Sequence, residues 1–199
     1  MTKKESKDKR VSEILQAAVD VFLEKGYENA SMDSIAEKAG ISKGGLYHHF
    51  LSKDILLLQA NGKLMEPVDE IMKKAKEYKS AAEGLKYFIG EYLSFWLSRR
   101  KELVFFFLSM TKALNDNALS MLYQAFSEKY IGFYEGLYIK GIRYGEFIDH
   151  DTRGSAIALM SALDGVLGYM AFDKKLEYDQ VCKAYEERFI DSLKINTLE

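Results

Sequence analysis

An all-α fold is predicted for this 199-residue chain by three features: a single proline, apolar residues recurring at helical spacing along most of its length, and no run of alternating β-branched residues that would read as strand. About nine helices and no strand result. The first runs from Lys9 to Lys25, where Val11, Ile14, Leu15, Ala18, Val19 and Phe22 make one apolar face and Gly26 is placed to stop it. Residues 1–8 fall outside that pattern and read as a mobile basic arm.

Two short helices come next. Ser31 is placed to cap one that turns Ile35, Ala36 and Ala39 inward and stops at Gly40. Ser42 is placed to cap the other, with Leu46 and Phe50 inward at i, i+4. Only Gly40, Ile41 and Ser42 separate them, which is the spacing and the glycine of a helix-turn-helix. Ser52 then caps a long helix carrying Ile55, Leu56, Leu58 and Met65, which Pro67 kinks or ends because proline cannot donate to the preceding turn. No Gly/Ser/Pro-rich linker exists, so the domain boundary is expected within this helix, with a head over residues 1–53 and a body over residues 54–199.

In the body, Ser80 and Glu83 form an expected capping box, followed by Leu85, Phe88, Ile89, Tyr92 and Trp96 on a helix ending near Arg99 and Arg100. A shorter helix holds Leu103, Phe106, Phe107 and Met110. Asn115 or Asp116 begins a long one through Leu119, Leu122, Tyr123, Phe126, Tyr130, Phe133 and Leu137, ended by Gly145. Asp149 or Asp151 caps the next, with Ala156, Leu159, Met160, Leu163, Val166, Leu167 and Met170. The last spans Tyr178 to Leu193.

Composition narrows the function. Cys182 is the only cysteine, so neither an internal disulfide nor a Cys-rich zinc site is available, which fits a reducing cytoplasm. The first ten residues are too polar for a secretory signal. The longest apolar run, Leu103 to Leu108, falls far below the ~18 residues of a membrane span, and no membrane partner is expected. Net charge is −2, yet residues 1–53 hold nine Lys/Arg against eight Asp/Glu while residues 54–199 hold nineteen against twenty-two. That small asymmetry permits a nucleic-acid-binding head on an acidic body without requiring one.

The chemistry concentrates in Ser31 to Lys53. With Leu46 and Phe50 packed inward, the opposite face of the second short helix offers Lys43 with Tyr47 and Gly44 with His48, each pair at i, i+4. His49 lies nearer the packed face. Gly44 and Gly45 in the first turn weaken the helix but let backbone N–H groups approach a phosphate or base edge, which suits a DNA major groove. The stretch resembles the DNA-binding signature of the TetR/AcrR family: Ser31, Ile35-Ala36, Ala39-Gly40, Ser42-Lys43-Gly44-Gly45-Leu46-Tyr47-His48-His49-Phe50, then Ser52-Lys53, with Lys25-Gly26-Tyr27 closing the first helix. The match covers residues 10–55. It departs from the family at Gly45, where Thr or Ser is usual, so a hydroxyl contact is missing there.

The resemblance implies a homeodomain-like three-helix head and a C-terminal helical body that binds an effector and forms a homodimer on a palindromic double-stranded operator. It implies DNA contact by Ser31, Ser42, Lys43, Gly44, Gly45, Tyr47, His48 and Lys53, with Tyr47 and Lys53 on phosphates. Dimer contacts are expected from Ala156, Met160, Leu163, Leu167, Tyr185 and Phe189. A ligand site for a small lipophilic or aromatic effector is expected among Tyr92, Phe95, Trp96, Phe106, Met110, Tyr123, Phe126, Tyr130 and Asp164, although the same stripes also make an ordinary helical core. Asp164, a polar residue in an apolar face, could meet a ligand, pair with a basic side chain or cap a helix.

No catalytic or cofactor signature appears. His48, His49 and His150 are the three histidines, no two of them share a helix face, and there is no phosphate-cradling loop or nucleophile elbow. The expectation is a cytoplasmic, nucleoid-associated repressor without cofactor or metal. The alternative is a DNA-bound protein whose body recruits a protein partner.

Overall fold

The computed structural model describes residues 3–115, 117–173 and 175–195, without the side chains of residues 3–7, Ala118 and Leu122. Ten α-helices run in order: α1 Lys3–Asn29, α2 Met32–Lys38, α3 Lys43–His49, α4 Lys53–Leu64, α5 Glu66–Glu77, α6 Ala81–Leu97, α7 Arg100–Ala113, α8 Asn117–Arg143, α9 Thr152–Phe172 and α10 Tyr178–Phe189. A 3-10 turn, Asp191–Leu193, follows. Among the described residues there is no strand, only an isolated antiparallel bridge between Phe147 and Lys194. The chain divides into two compact units, one of Met1–Glu66 with Lys101–Gln124, the other of Pro67–Arg100 with Ala125–Glu199.

The first unit holds α1 to α4, α7 and the start of α8. Ile14, Ala18, Phe22, Ile35, Leu46, Phe50, Leu56 and Leu57 are buried in it. The helical spacing of the sequence is therefore realised as one core, each buried Ile, Leu or Phe side chain contributing about 1.5–3 kcal/mol. The expected basic arm is corrected: α1 already includes Lys3, and only residues 1 and 2 of the arm lie outside the described residues. Gly26 interrupts α1 with φ +73°, a left-handed value that stops a helix, but one further turn follows through Asn29. That turn is held by Tyr27. Its hydroxyl donates to Asp54, its ring stacks on Phe22 at 5.9 Å, and Lys53 Nζ donates to the carbonyls of Tyr27 (2.9 Å) and Ala30 (3.0 Å).

Pro67 ends a helix instead of kinking one. α4 closes on Met65, and Pro67 sits in the first turn of α5, where its missing N–H costs nothing. The break coincides with the division of the two units after Glu66.

The second unit holds α5, α6, the rest of α8, α9 and α10. Phe88, Tyr92, Trp96, Phe133, Tyr134 and Tyr138 are buried in it and make ring contacts such as Phe88 with Phe133 at 4.8 Å. Gly84 lets α6 approach α5, since a Cβ there would lie 2.5 Å from the carbonyl oxygen of Ala75. Asp151 caps α9 by accepting from Gly154 N at 2.9 Å. The expected start of α8 at Asn115 or Asp116 is not described at Asp116. The last helix stops at Phe189, short of Leu193.

The cap of α6 differs in part from the expected box. Ser80 Oγ accepts from Glu83 N at 3.2 Å, but the carboxylate at this helix start is Glu146, from the turn after α8. It accepts from the Ser80 hydroxyl at 2.6 Å, Ala81 N at 2.8 Å and Ala82 N at 3.0 Å. Burial raises the Glu146 pKa, but these hydrogen bonds outweigh it and the carboxyl is held below its ordinary value. A depressed folded-state pKa stabilises the protein above the ordinary carboxylate range, and that contribution disappears as pH falls through the lowered value. Glu146→Gln is expected to cost about 1–2 kcal/mol at neutral pH, allowing for partial exposure, and to converge on wild type in acid. Thermal unfolding of both proteins across acidic to neutral pH checks this; a constant difference at every pH would rule it out.

Candidate nucleic-acid interface and effector body

A reciprocal cap opens α2. Ser31 Oγ accepts from Ser34 N at 3.1 Å, and Ser34 Oγ accepts from Ser31 N at 3.2 Å, satisfying these two donors reciprocally. Gly40, at φ +64°, turns the chain, and Ser42 Oγ accepts from Gly45 N at 3.1 Å to open α3. A Cβ at position 45 would lie 3.3 Å from that capping oxygen, a tight contact that a small shift of the Ser42 side chain relieves.

Leu46 and Phe50 are buried, while Lys43, Gly44, Tyr47 and His48 are exposed along one side of α3, Tyr47 at 42%. His49 is half-buried and tilts against Phe50 at 6.3 Å. Lys43 Nζ lies 3.0 Å from the Asp33 carboxylate, and this hydrogen bond and charge raise the lysine pKa. The pair is exposed on both sides, so exchanging Asp33 for a phosphate costs little. No local pattern signals this link, because residues 33 and 43 lie on different helices.

Lys53 is half-buried, donates to two backbone carbonyls and covers the Tyr27 ring at 4.2 Å, so its ammonium is engaged within the head. Ser31 and Ser42 are exposed, but their hydroxyls are occupied as caps.

The residues expected around an effector divide between the units. Phe106, Met110 and Tyr123 lie in the first, where Phe106 is buried and meets the Phe107 ring at 5.7 Å. Tyr92, Phe95, Trp96, Phe126, Tyr130 and Asp164 lie in the second. There Tyr92 stacks on Phe88 at 5.4 Å, Trp96 meets Phe95 at 5.1 Å, and the Tyr92 hydroxyl donates to Asp164 Oδ1 at 2.9 Å. Phe126 and Tyr130 pair at 4.8 Å, and the Tyr130 hydroxyl donates to Asp69 at 3.3 Å.

The residues expected at a dimer contact divide by face. Ala156, Leu163 and Leu167 are wholly buried within their own unit, because they fill the side of α9 that packs on α6, and they offer no area to another molecule. Met160 and Phe189 are half-buried, and Tyr185 donates to the carbonyl of Ala162 at 2.6 Å. The outward side of α9 carries Ile157, Ala158, Ser161, Gly165, Tyr169 (70% exposed) and Phe172 (86% exposed). The spacing of Ile157, Ser161, Gly165 and Phe172 was the available sequence signal. By length and composition α9 could cross a membrane, yet it carries Arg153 and Asp164; only 28% of its apolar window is buried in the chain itself.

The family model described as bacterial regulatory proteins, tetR family, matches residues 14–60. Over 88 residues the chain is 33% identical to the uncharacterized HTH-type transcriptional regulator YfiR of Bacillus subtilis strain 168, covering 44% of this chain and 43% of that one. The match thus spans less than half the length of that relative. The fatty acid metabolism regulator protein of the same strain is 26% identical over 135 residues, 67% of this chain and 69% of its own. The solved structure of the transcriptional regulator FadR from Bacillus subtilis in complex with stearoyl-CoA matches with a TM-score of 0.72 at 21% identity, covering 91% of this chain and 98% of that one, a likeness of fold. Motif and family match agree over the head: residues 14–60 are similar to the bacterial regulatory proteins of the tetR family, and the all-helical fold is shared with the solved structures.

Proposed function

We propose that this protein is a sequence-specific DNA-binding transcription repressor, working as a homodimer in the cytoplasm on the nucleoid and released by a small lipophilic or aromatic effector. The observation that carries the reading is the exposed row Lys43, Gly44, Tyr47 and His48 on α3, backed by buried Leu46 and Phe50. A short helix fixed at both ends by caps presents a cation, a phenol, an imidazole and bare backbone from one side, which is what a major-groove reader needs. Two such helices meet the half-sites of a palindrome when a second copy covers the outward face of α9. The aromatic cluster of the second unit supports the effector, as does the stearoyl-CoA bound to the FadR of similar fold.

Selection from random duplexes tests the reading. Retained DNA is expected to converge on an inverted repeat; retention in proportion to input, by folded protein at low salt, contradicts it.

Covalently, the chain passes between its units after Glu66, after Arg100 and within α8 after Gln124. Release by an effector requires about 1–3 kcal/mol of preference for one state. Pro67→Ala allows α4 and α5 to join and is expected to change the effector concentration that halves operator binding. A response equal to wild type removes the break at Pro67 from the mechanism.

The recruiter reading draws on one observation, the exposed Val104, Leu114 and Met121 in the first unit. Charged replacements there that leave operator and effector binding unchanged but abolish repression in cells favour it.

A further inference from the structure

The turn between α5 and α6 meets the end of α8 at a basic corner of the second unit. A hollow of about 710 Å³ opens there, with Lys76, Glu77, Tyr78 and Lys79 from the turn and Lys140 and Glu146 from the end of α8 and beyond. It adjoins a second hollow of about 420 Å³, which shares Glu77 and Tyr78 and adds Lys74 and Tyr87. Both have the size of a small-molecule site, roughly 300–1,000 Å³. No residue of either belongs to the exposed row of α3 or to the cluster of Tyr92 and Trp96.

Positive charge is in excess in this corner. Lys73, nearby on α5, pairs with Glu70 at 3.9 Å, but among the described residues Lys74, Lys76, Lys79 and Lys140 form no ion pair. These four lysines stand against two carboxylates, Glu77 and Glu146. Glu146 is already taken up by the start of α6, where it accepts from Ser80, Ala81 and Ala82. Burial opposes its charge, but those hydrogen bonds and then the charge of Lys140 keep it ionised. An anion is therefore favoured at this place, and one from the chain itself does not exhaust the cations. The rim is also fixed. Lys140 Nζ donates to the carbonyl of Tyr78, which ties the α5–α6 turn to α8 and leaves two further N–H donors on the ammonium. A preset rim lowers the ordering cost of binding.

Two phenol rings lie beside the cations. Tyr78 and Tyr87 meet at 5.2 Å, tilted by 31°, and Tyr78 is 39% exposed. Lysines alone would take any phosphate, whereas an exposed aromatic ring next to them also offers a stacking surface to a base carried by the same ligand. Glu77, among the lysines, can accept from sugar hydroxyls or an exocyclic amine and disfavours a bare polyphosphate. A duplex is disfavoured as well, since its bases are stacked inside and out of reach of Tyr78.

We propose that this corner is a further small-molecule site, for a nucleotide whose phosphates meet Lys76, Lys79 and Lys140 while its base stacks on Tyr78. The site lies outside the effector reading of the body and does not depend on it.

ATP, adenosine and tripolyphosphate are the probes, titrated calorimetrically into the full chain. ATP is expected to bind at least about tenfold more tightly than either fragment, because stacking and charge act together. Lys76→Ala with Lys79→Ala should weaken ATP binding by at least about tenfold, and Tyr78→Ala should weaken ATP while leaving tripolyphosphate unchanged. These three side chains are exposed, so the circular dichroism of the variants should match wild type. Lys43→Ala, on α3, should bind ATP as wild type does, which separates this corner from the DNA-facing row. No binding of ATP, tripolyphosphate bound as tightly as ATP, or an ATP affinity unchanged in the double lysine variant or in Tyr78→Ala overturns the inference. So does loss of ATP binding in Lys43→Ala. Tighter binding of an oligothymidylate than of ATP, with the same dependence on Lys76 and Lys79, also overturns it and makes the corner a track for single-stranded nucleic acid.

Discussion

Gly165→Glu is expected to convert the protein to a folded monomer that has lost operator binding. Gly165 lies near the centre of the outward side of α9, between Ser161 and Tyr169, and a Cβ there meets no atom within 4 Å of its own chain. The substitution therefore places a charge on the exposed face without disturbing the core behind it, and replacing a mid-helix glycine favours the helix itself. In a dimer the same charge would be buried against a copy of itself, with no partner in this apolar setting. In the proposed complex two heads bind one palindrome together, so loss of the dimer is expected to lower apparent operator affinity by at least about 100-fold. Sedimentation and helical content measured on the same sample separate the outcomes. A folded dimer in the variant means that the copies meet through another surface.

The second large effect is expected at α3. Lys43→Ala with Tyr47→Phe should weaken operator binding by about 10- to 100-fold near physiological salt and lower the slope of log affinity against log salt by about one. The slope reports the lost cation and the lower affinity reports both changes. Tyr47→Phe keeps the ring and removes only the phenol, while Lys43→Ala also leaves Asp33 without its partner beside the DNA backbone. Both side chains are exposed, so the fold should be unaffected. Affinities equal to wild type at every salt concentration would take these residues out of the interface.

The head was more legible in sequence than the body because its signals are local. Ser31, Gly40 and Ser42 act on their immediate neighbours, and Leu46 with Phe50 marks the packed side of α3 at the shortest helical repeat. The internal partners of Lys53, the carbonyls of Tyr27 and Ala30, were hidden because they lie more than twenty residues away. Glu146 was invisible for the same reason, capping a helix that begins more than sixty residues earlier. On α9 the apolar stripe continues around the helix. Periodicity located Ala156, Leu163 and Leu167 but could not distinguish the side that packs within the chain from the outward side of Ile157, Gly165 and Phe172. The division of the aromatic residues between two units depends on tertiary contacts, with α7 joining the first unit and α6 the second, and no local pattern carries that information.

Photocrosslinking from the major groove tests most directly whether α3 reads DNA. With 5-bromodeoxyuridine replacing thymidine in each half-site of the selected duplex, the reactive atom sits on the major-groove edge, where the thymine methyl would be. Crosslinks are expected in the peptide spanning residues 43–49, from both half-sites, and absent with a scrambled duplex. Crosslinks confined to other segments, or equally frequent on scrambled DNA, would contradict the assignment of α3 as the reading helix.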